Sequence, residues 1–220
     1  MKKLSQAIVL AGAMTAGLTA VQTAQAEISA SVDLASMYLW HGQDLGGGAP
    51  VVSGSLDYSH ESGLYAGVWT SSGDTSLGTE TDLYIGYAGA VGDLGYDIGY
   101  ATYLYPETDE YDQFDDSANF SLGFSYSMAS IRFDKSSDSD ADGFYFVVGA
   151  DIPDTSFSAS LGGEVDKGND FMHLDVTYAY NDTVAFTISK ILDQDIEMNE
   201  AGHIDESAKY VVSYSLPIEM

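Results

Sequence analysis

From Ala118 to Met128 the chain alternates without a break. Ala118, Phe120, Leu122, Phe124, Tyr126 and Met128 are apolar or aromatic, and the residues between them, Asn119, Ser121, Gly123, Ser125 and Ser127, are small or polar. Successive side chains on a β-strand point to opposite faces, so one face of this stretch wants an apolar surrounding and the other wants water. The same period of two runs through Gly63–Pro106, which reads G-L-Y-A-G-V-W-T-S, E-T-D-L-Y-I-G-Y-A-G and G-Y-D-I-G-Y-A-T-Y-L-Y-P. There Glu80, Asp82 and Asp97 fall in the opposite phase to Leu83, Ile85, Tyr96 and Ile98. Past the N-terminal leader no apolar run is long enough for a membrane helix, so a membrane protein built from this sequence has to close into a barrel.

Read in order, the alternation gives twelve strands and no helix. The first carries Ile28, Ala30, Val32 and Leu34 in one phase, and the pattern continues to Tyr38 and Trp40 before the glycine-rich connection Gly42–Pro50. The third strand is expected to end near Ser71, ahead of a Ser/Gly/Thr loop, and the last carries Tyr210, Val212, Tyr214, Leu216, Ile218 and Met220 in one phase. Connections after odd strands are mostly long and acidic or glycine-rich, and those after even strands are tight. An even strand number with long loops on one rim and short turns on the other is the layout of an outer-membrane barrel. A soluble sandwich gives the same alternation. The loop asymmetry, the leader and tyrosines near strand ends favour the barrel.

Residues 1–26 read as a cleaved signal peptide. Lys2 and Lys3 form a basic start, Ala7–Val21 a short apolar stretch, and Ala24-Gln25-Ala26 an A-x-A cleavage site. The barrel is then 27–220. The whole chain holds 7 Lys and Arg against 34 Asp and Glu, a net charge of -27. After cleavage the cations are Arg132, Lys135, Lys167, Lys190 and Lys209. That balance excludes nucleic acid as a partner, since binding it needs a basic surface. It equally suits adaptation to a salty habitat. There is no cysteine, hence no disulfide and no thiolate metal site. The expected location is the outer membrane of a Gram-negative bacterium, with membrane lipid and the barrel-assembly machinery as partners.

Several stretches together resemble the TorF family of porins. They are S-M-Y-L-W-H-G at Ser36–Gly42, L-D-Y-S-H-E-S-G at Leu56–Gly63, G-L-Y-A-G-V-W-T-S, E-T-D-L-Y-I-G-Y-A-G, and Y-L-Y-P. The family's first motif looks like S-D-Y-x-F-R-G; here Met37 stands in place of the acid and His41 in place of the arginine. From about Tyr111 onward the likeness is one of barrel texture. The resemblance implies an outer-membrane, porin-like barrel and brings no substrate with it.

With the apolar phase given to lipid, the pore-lining candidates are Asp33, Asp57, Glu80, Asp82, Asp97, Asn119, Arg132, Asp151, Glu164, His173 and Asp175. Acids outnumber the one arginine, so the expected activity is passive diffusion of small hydrophilic solutes with a preference for cations. The alternative is a non-conducting structural or surface-interaction barrel, for which inward Tyr103, Tyr105, Tyr145 and Phe171 argue. Tyr38, Trp40, Tyr65, Trp69 and Tyr100 are candidates for the interfacial girdle. Asp138, Asp140 and Asp142 resemble the start of a calcium loop, D-x-D-x-D-G, although Gly149 stands where a full loop has its bidentate Glu. A solvated acidic loop is the plainer reading, and no other cofactor is expected. Ser158, Ser160, His173 and Asp175 share a phase, but residues two apart on a strand are about 7 Å apart. No direct His–Asp bond, and no enzyme, is therefore expected. His41, His60 and His203 show no metal-ligand spacing.

Overall fold

The computed structural model describes residues 26–218, apart from 110, 115, 139, 140, 167, 199 and 201. The signal-peptide reading of 1–26 and Met220 therefore fall almost wholly outside the described residues. Twelve strands close into one antiparallel barrel: β1 (Glu27–Ala35), β4 (Val51–Ser59), β5 (Leu64–Asp74), β6 (Gly78–Val91), β7 (Leu94–Leu104), β8 (Ala118–Tyr126), β9 (Ala129–Ser136), β10 (Phe144–Asp151), β11 (Phe157–Val165), β12 (Phe171–Ala179), β13 (Val184–Gln194) and β14 (Lys209–Ile218). Each strand pairs with its sequence neighbours. β1 closes the ring on β14, with Ala30 opposite Ile218 and Ala35 opposite Ser213. Two short strands, β2 (Leu39–Trp40) and β3 (Gln43–Asp44), form a separate hairpin within the first long connection. No helix occurs among the described residues.

The alternation resolves into two surfaces. Ile28, Val32, Leu34, Val52, Leu56, Ile85, Ile98, Leu122, Val148, Ile188, Val212 and Leu216 all face outward, and each is at least 40% exposed. An apolar band encircling a closed barrel is far larger than any patch a water-soluble monomer tolerates, and lipid is the surrounding that suits it. This is a transmembrane barrel. Its outer face carries aromatic residues near the short-turn rim: Tyr58, Tyr126, Phe157 and Tyr178, with Tyr87 stacked on Tyr96 at 6.2 Å.

The short-turn rim is made by residues whose chemistry suits tight reversal. Gly92, at φ 63°, and Asp93 join β6 to β7, a pairing favoured in two-residue hairpins. Asn181 Oδ1 accepts from the backbone N–H groups of Thr183 (2.9 Å) and Val184 (2.7 Å) and so closes the β12–β13 turn. On the opposite rim the connections are 36–50, 75–77, 105–117, 137–143, 166–170 and 195–208. The expected loop after Ser71 is mostly strand instead. β5 continues to Asp74, whose Oδ1 accepts from the N–H groups of Ser76 (2.6 Å) and Leu77 (2.8 Å), and β6 restarts at Gly78. Small polar residues there signal an extended edge with a short turn. The first strand is also shorter than its pattern: β1 ends at Ala35, and Tyr38 and Trp40 belong to the inner hairpin.

Candidate functional site: the lumen and its inward hairpin

Residues 36–50 fold into the mouth of the barrel. The β2–β3 hairpin turns at His41 (φ 48°) and Gly42 (φ 79°). Positive φ at both central residues matches the twist of a two-residue hairpin, which is why a glycine follows the histidine. The hairpin is held from several sides of the barrel. Tyr38, 4% exposed, donates its hydroxyl to Glu80 of β6, and its ring lies 6.3 Å from that of Trp69 on β5. His41 is sandwiched between Trp40 (3.5 Å) and Tyr145 of β10 (3.4 Å, 5° between planes). Gly42 rests against His173 of β12 and Ile191 of β13; a side chain at 42 would meet His173 Cβ at 2.6 Å. The N–H of Thr75, in the β5–β6 turn, donates to the carbonyl of Leu45 at 3.0 Å.

The last long connection folds over the same mouth. Phe171, Ile191 and Ile204 make a buried apolar cluster. The side-chain amide of Gln194 donates to the carbonyl of Ile204 (2.8 Å) and accepts from its N–H (2.9 Å). Between this loop and β3 lies a cleft of about 300 Å³ lined by Gln43, Asp44, His203, Ile204, Asp205 and Lys209. The ammonium of Lys209 is held by Asp205 Oδ2 at 2.7 Å and by the carbonyls of Asp205 and Ser207. Hydrogen bonds from Lys209 and Ser207 hold the Asp205 carboxyl well below the usual carboxylate range.

Below the hairpin, the wall is lined by acids, hydroxyls and glycines. Asp33 accepts from Ser31 Oγ at 2.8 Å, and Asp57 from Ser55 Oγ at 2.7 Å and from the Tyr84 hydroxyl. The Tyr65 hydroxyl donates to Asp97 at 3.2 Å. Tyr84 and Tyr65 can reach those acids because each faces a glycine: Gly67 lies opposite Tyr84 and Gly86 opposite Tyr65. The rings lie flat along the wall over positions with no side chain. Arg132 binds Asp134 through Nη2 and Nε, both at 2.8 Å. Several inward oxygens have no donor: Asp33 Oδ1, Asp97 Oδ2, and both carboxylate oxygens of Asp82, which is 0% exposed.

Beside the hairpin, the Tyr145 hydroxyl meets His173 Nε2 at 2.8 Å, and His173 Nδ1 meets Asp175 Oδ1 at 3.2 Å. The direct His–Asp contact overturns the expectation from spacing. The two Cα atoms are a strand repeat apart, but the side chains lean along the strand toward each other, and the β12–β13 register shifts at Met172/His173. The group meeting the distal nitrogen is a phenol. No hydrogen bond links Ser158 or Ser160 to this histidine among those described.

The sequence profile of a family described as a bacterial protein of unknown function, Gcw_chp, matches residues 19–214. The chain belongs to the Gcw_chp family. No curated protein matches it. Among solved structures, a KdgM porin is similar at 6% identity and a TM-score of 0.49, the alignment covering 88% of this chain and 99% of that one. The Gcw_chp profile spans the hairpin and all but the last residues of β14.

In this member of the Gcw_chp family the pore-lining candidates all fall in the inward phase. Asp33, Glu80, Asp82, Asp97, His173 and Asp175 are buried, Asp57, Asn119, Arg132 and Glu164 are half-buried, and Asp151 is exposed at the short-turn rim. The girdle assignment is corrected for four of five residues. Tyr38 and Trp40 belong to the hairpin, and Tyr65 and Trp69 share the inward face of β5 with Gly67 and Ser71; of the five, Tyr100 faces outward, packed on Phe120 at 5.0 Å. An aromatic beside acids on the facing strand belongs to the wet phase even when its size suggests lipid. Asp134 and Lys209 are inward charges that the candidate set omits; the spacing of Asp134 two residues from Arg132 was the available signal. In the acidic loop, Asp140 lies outside the described residues. The Lys135 ammonium donates there to the carbonyls of Ala141 and of Gly143, the latter at 2.7 Å. Among the described residues no three His, Cys, Asp or Glu side chains are grouped to hold a metal ion.

Proposed function

We propose that this protein is a porin-like channel of the outer membrane of a Gram-negative bacterium, passing small hydrophilic solutes and preferring cations. The 1–26 segment is removed on export, and the long loops face outward from the cell. The resemblance to the TorF family points the same way. The observation that carries the reading is the set of inward acid oxygens without donors, at Asp33, Asp82 and Asp97, against few inward cations. Arg132 is neutralised by Asp134 and Lys209 by Asp205. A path bordered by uncompensated acceptors favours positive charge. The inward hairpin is its constriction. The lumen residues act here as lining, not as catalysts.

The second reading, a closed structural barrel, is supported by the packing at the mouth, where Tyr38, His173 and Ile191 leave almost no exposed surface. A planar-bilayer experiment on the mature protein separates the two. The channel reading expects discrete conductance steps and a cation-selective reversal potential in a salt gradient. Asp82→Asn, Asp97→Asn and Asp175→Asn together reduce that selectivity, and replacing Leu39–Asp44 by a short glycine–serine link raises conductance. An anion-selective pore refutes the preference. A folded barrel silent even without the hairpin establishes the structural reading. The mass of the exported protein, expected to begin at Glu27, checks the cleavage.

A further inference from the structure

The constriction contains a group of acceptors with nothing to accept from. Asp82 is fully buried on the inward face of β6, and no donor reaches either of its carboxylate oxygens. Ser71, on β5 opposite Glu80, is 2% exposed, and its hydroxyl is likewise without a partner. Glu80 is the exception, because the Tyr38 hydroxyl of the hairpin donates to it and the Tyr105 hydroxyl of the loop after β7 also reaches it. In register, Asp82 is flanked by two aromatic rings, Trp69 on β5 and Tyr103 on β7. Two neighbouring carboxylates, a free hydroxyl and two ring faces make a set short of donors and without a cation. A burial this complete is unfavourable for an unpaired carboxylate unless a cation or donor arrives or the Glu80–Asp82 pair holds a proton between them, which an arriving ammonium would replace.

We propose that Glu80, Asp82 and Ser71 form the binding site for a primary ammonium group of a small solute, and that Tyr38 is its built-in competitor. The ligand class follows from the chemistry. An ammonium brings three N–H donors to a group in which Asp82 and Ser71 have none, and its charge suits the faces of Trp69 and Tyr103. The scarcity of grouped ligands, two carboxylates with no third His, Cys or acid assembled beside them, disfavours a divalent metal. In the closed state the Tyr38 phenol supplies one donor to Glu80 and fills the space. A ligand that supplies three displaces it and loosens the hairpin. This deepens the cation-channel reading and rests on it for its biological meaning, but the site itself is tested without conduction.

The protein reports on this site by itself, since its two tryptophans are Trp40 in the hairpin and Trp69 beside Tyr38. Ethylammonium chloride is titrated into the folded full barrel in detergent, with potassium chloride at equal ionic strength as the reference. Heat-modifiable gel migration confirms folding of each variant. The proposal expects a saturable change in tryptophan emission with ethylammonium and none with potassium. Asp82→Asn weakens binding at least about tenfold, the scale of one charged hydrogen bond, and Ser71→Ala weakens it less. Tyr38→Phe, which removes the competing donor, tightens it. No saturable response, an equal response to potassium, unchanged affinity in Asp82→Asn, or weaker binding in Tyr38→Phe overturns the proposal. Should Asp82→Asn not fold, Ser71→Ala and Tyr38→Phe decide by their opposite signs. Binding with this pattern in a barrel that never conducts upholds the site and refutes the channel; conduction without binding does the reverse.

Discussion

Gly86→Ala tests whether the tyrosines lie along the wall because glycines leave room for them. The added Cβ would collide with Cζ and Oη of Tyr65 and lie 2.7 Å from the carbonyl oxygen of Ile98. The first clash expels the ring and breaks its 3.2 Å bond to Asp97. A lost hydrogen bond to a charged group costs about 1.5–3 kcal/mol, and overpacking against backbone adds about 1–3 kcal/mol. Removing a glycine from the unfolded chain returns about 0.4–1 kcal/mol. The net expectation is destabilisation by about 1.5–5.5 kcal/mol. Gly149→Ala is the control: it is also inward on its strand, but its nearest neighbour is Ser130 Oγ at an ordinary 3.4 Å. There only the unfolded-chain effect remains, and stability should rise by about 0.5 kcal/mol. Both are read from equilibrium denaturant unfolding of the folded barrel in detergent or lipid. In a Tyr65→Ala background Gly86→Ala should cost much less than in the native protein, because the ring and its bond to Asp97 are already gone and only the contact with the Ile98 carbonyl remains. Equal effects at positions 86 and 149, or additive behaviour in the double variant, would refute the argument.

Two other outcomes are expected. Tyr145→Phe and Asp175→Asn each remove one partner of His173, so their effects should couple by about 0.5–3 kcal/mol in a double-mutant cycle; strict additivity would show that the three side chains do not act as a chain. For the Asp205–Lys209 pair, the folded carboxyl lies below its unfolded value, so the pair contributes stability above the ordinary aspartate range near about pH 4 and loses it only as pH falls through the lower folded value. A carboxyl-carbon NMR titration should find Asp205 still ionised when most loop acids have protonated, and titration of Asp205 together with them would count against the contact.

Strand phase was legible in the sequence because a closed barrel imposes one rule on every strand, and a slip of one residue would invert both faces. That is why Asp33, Asp97 and Asp175 could be assigned inward before any contact was known. The hairpin was not legible. Tyr38 and Trp40 keep the phase of β1, so periodicity extends the strand through them, and only the paired positive φ values of His41 and Gly42 reveal the reversal. Tyr65 and Trp69 were misread for a related reason: size suggests lipid, whereas the wet phase is set by the acids opposite, Asp82 among them. The His173–Asp175 bond was hidden because backbone spacing says nothing about how side chains lean.

The hairpin also sets an order of events in biogenesis. It lies in the first connection of the barrel, yet it rests on Tyr145 of β10, His173 of β12 and Ile191 of β13. Those strands leave the ribosome long after the hairpin does, and they come within its reach only when β1 meets β14. The hairpin can lean on β5 and β6 early, but its full set of contacts cannot form until the ring is all but shut. A protein whose seam had closed in the wrong register would offer it no matching wall, so the Trp40–His41–Tyr145 stack serves as a signature of correct closure.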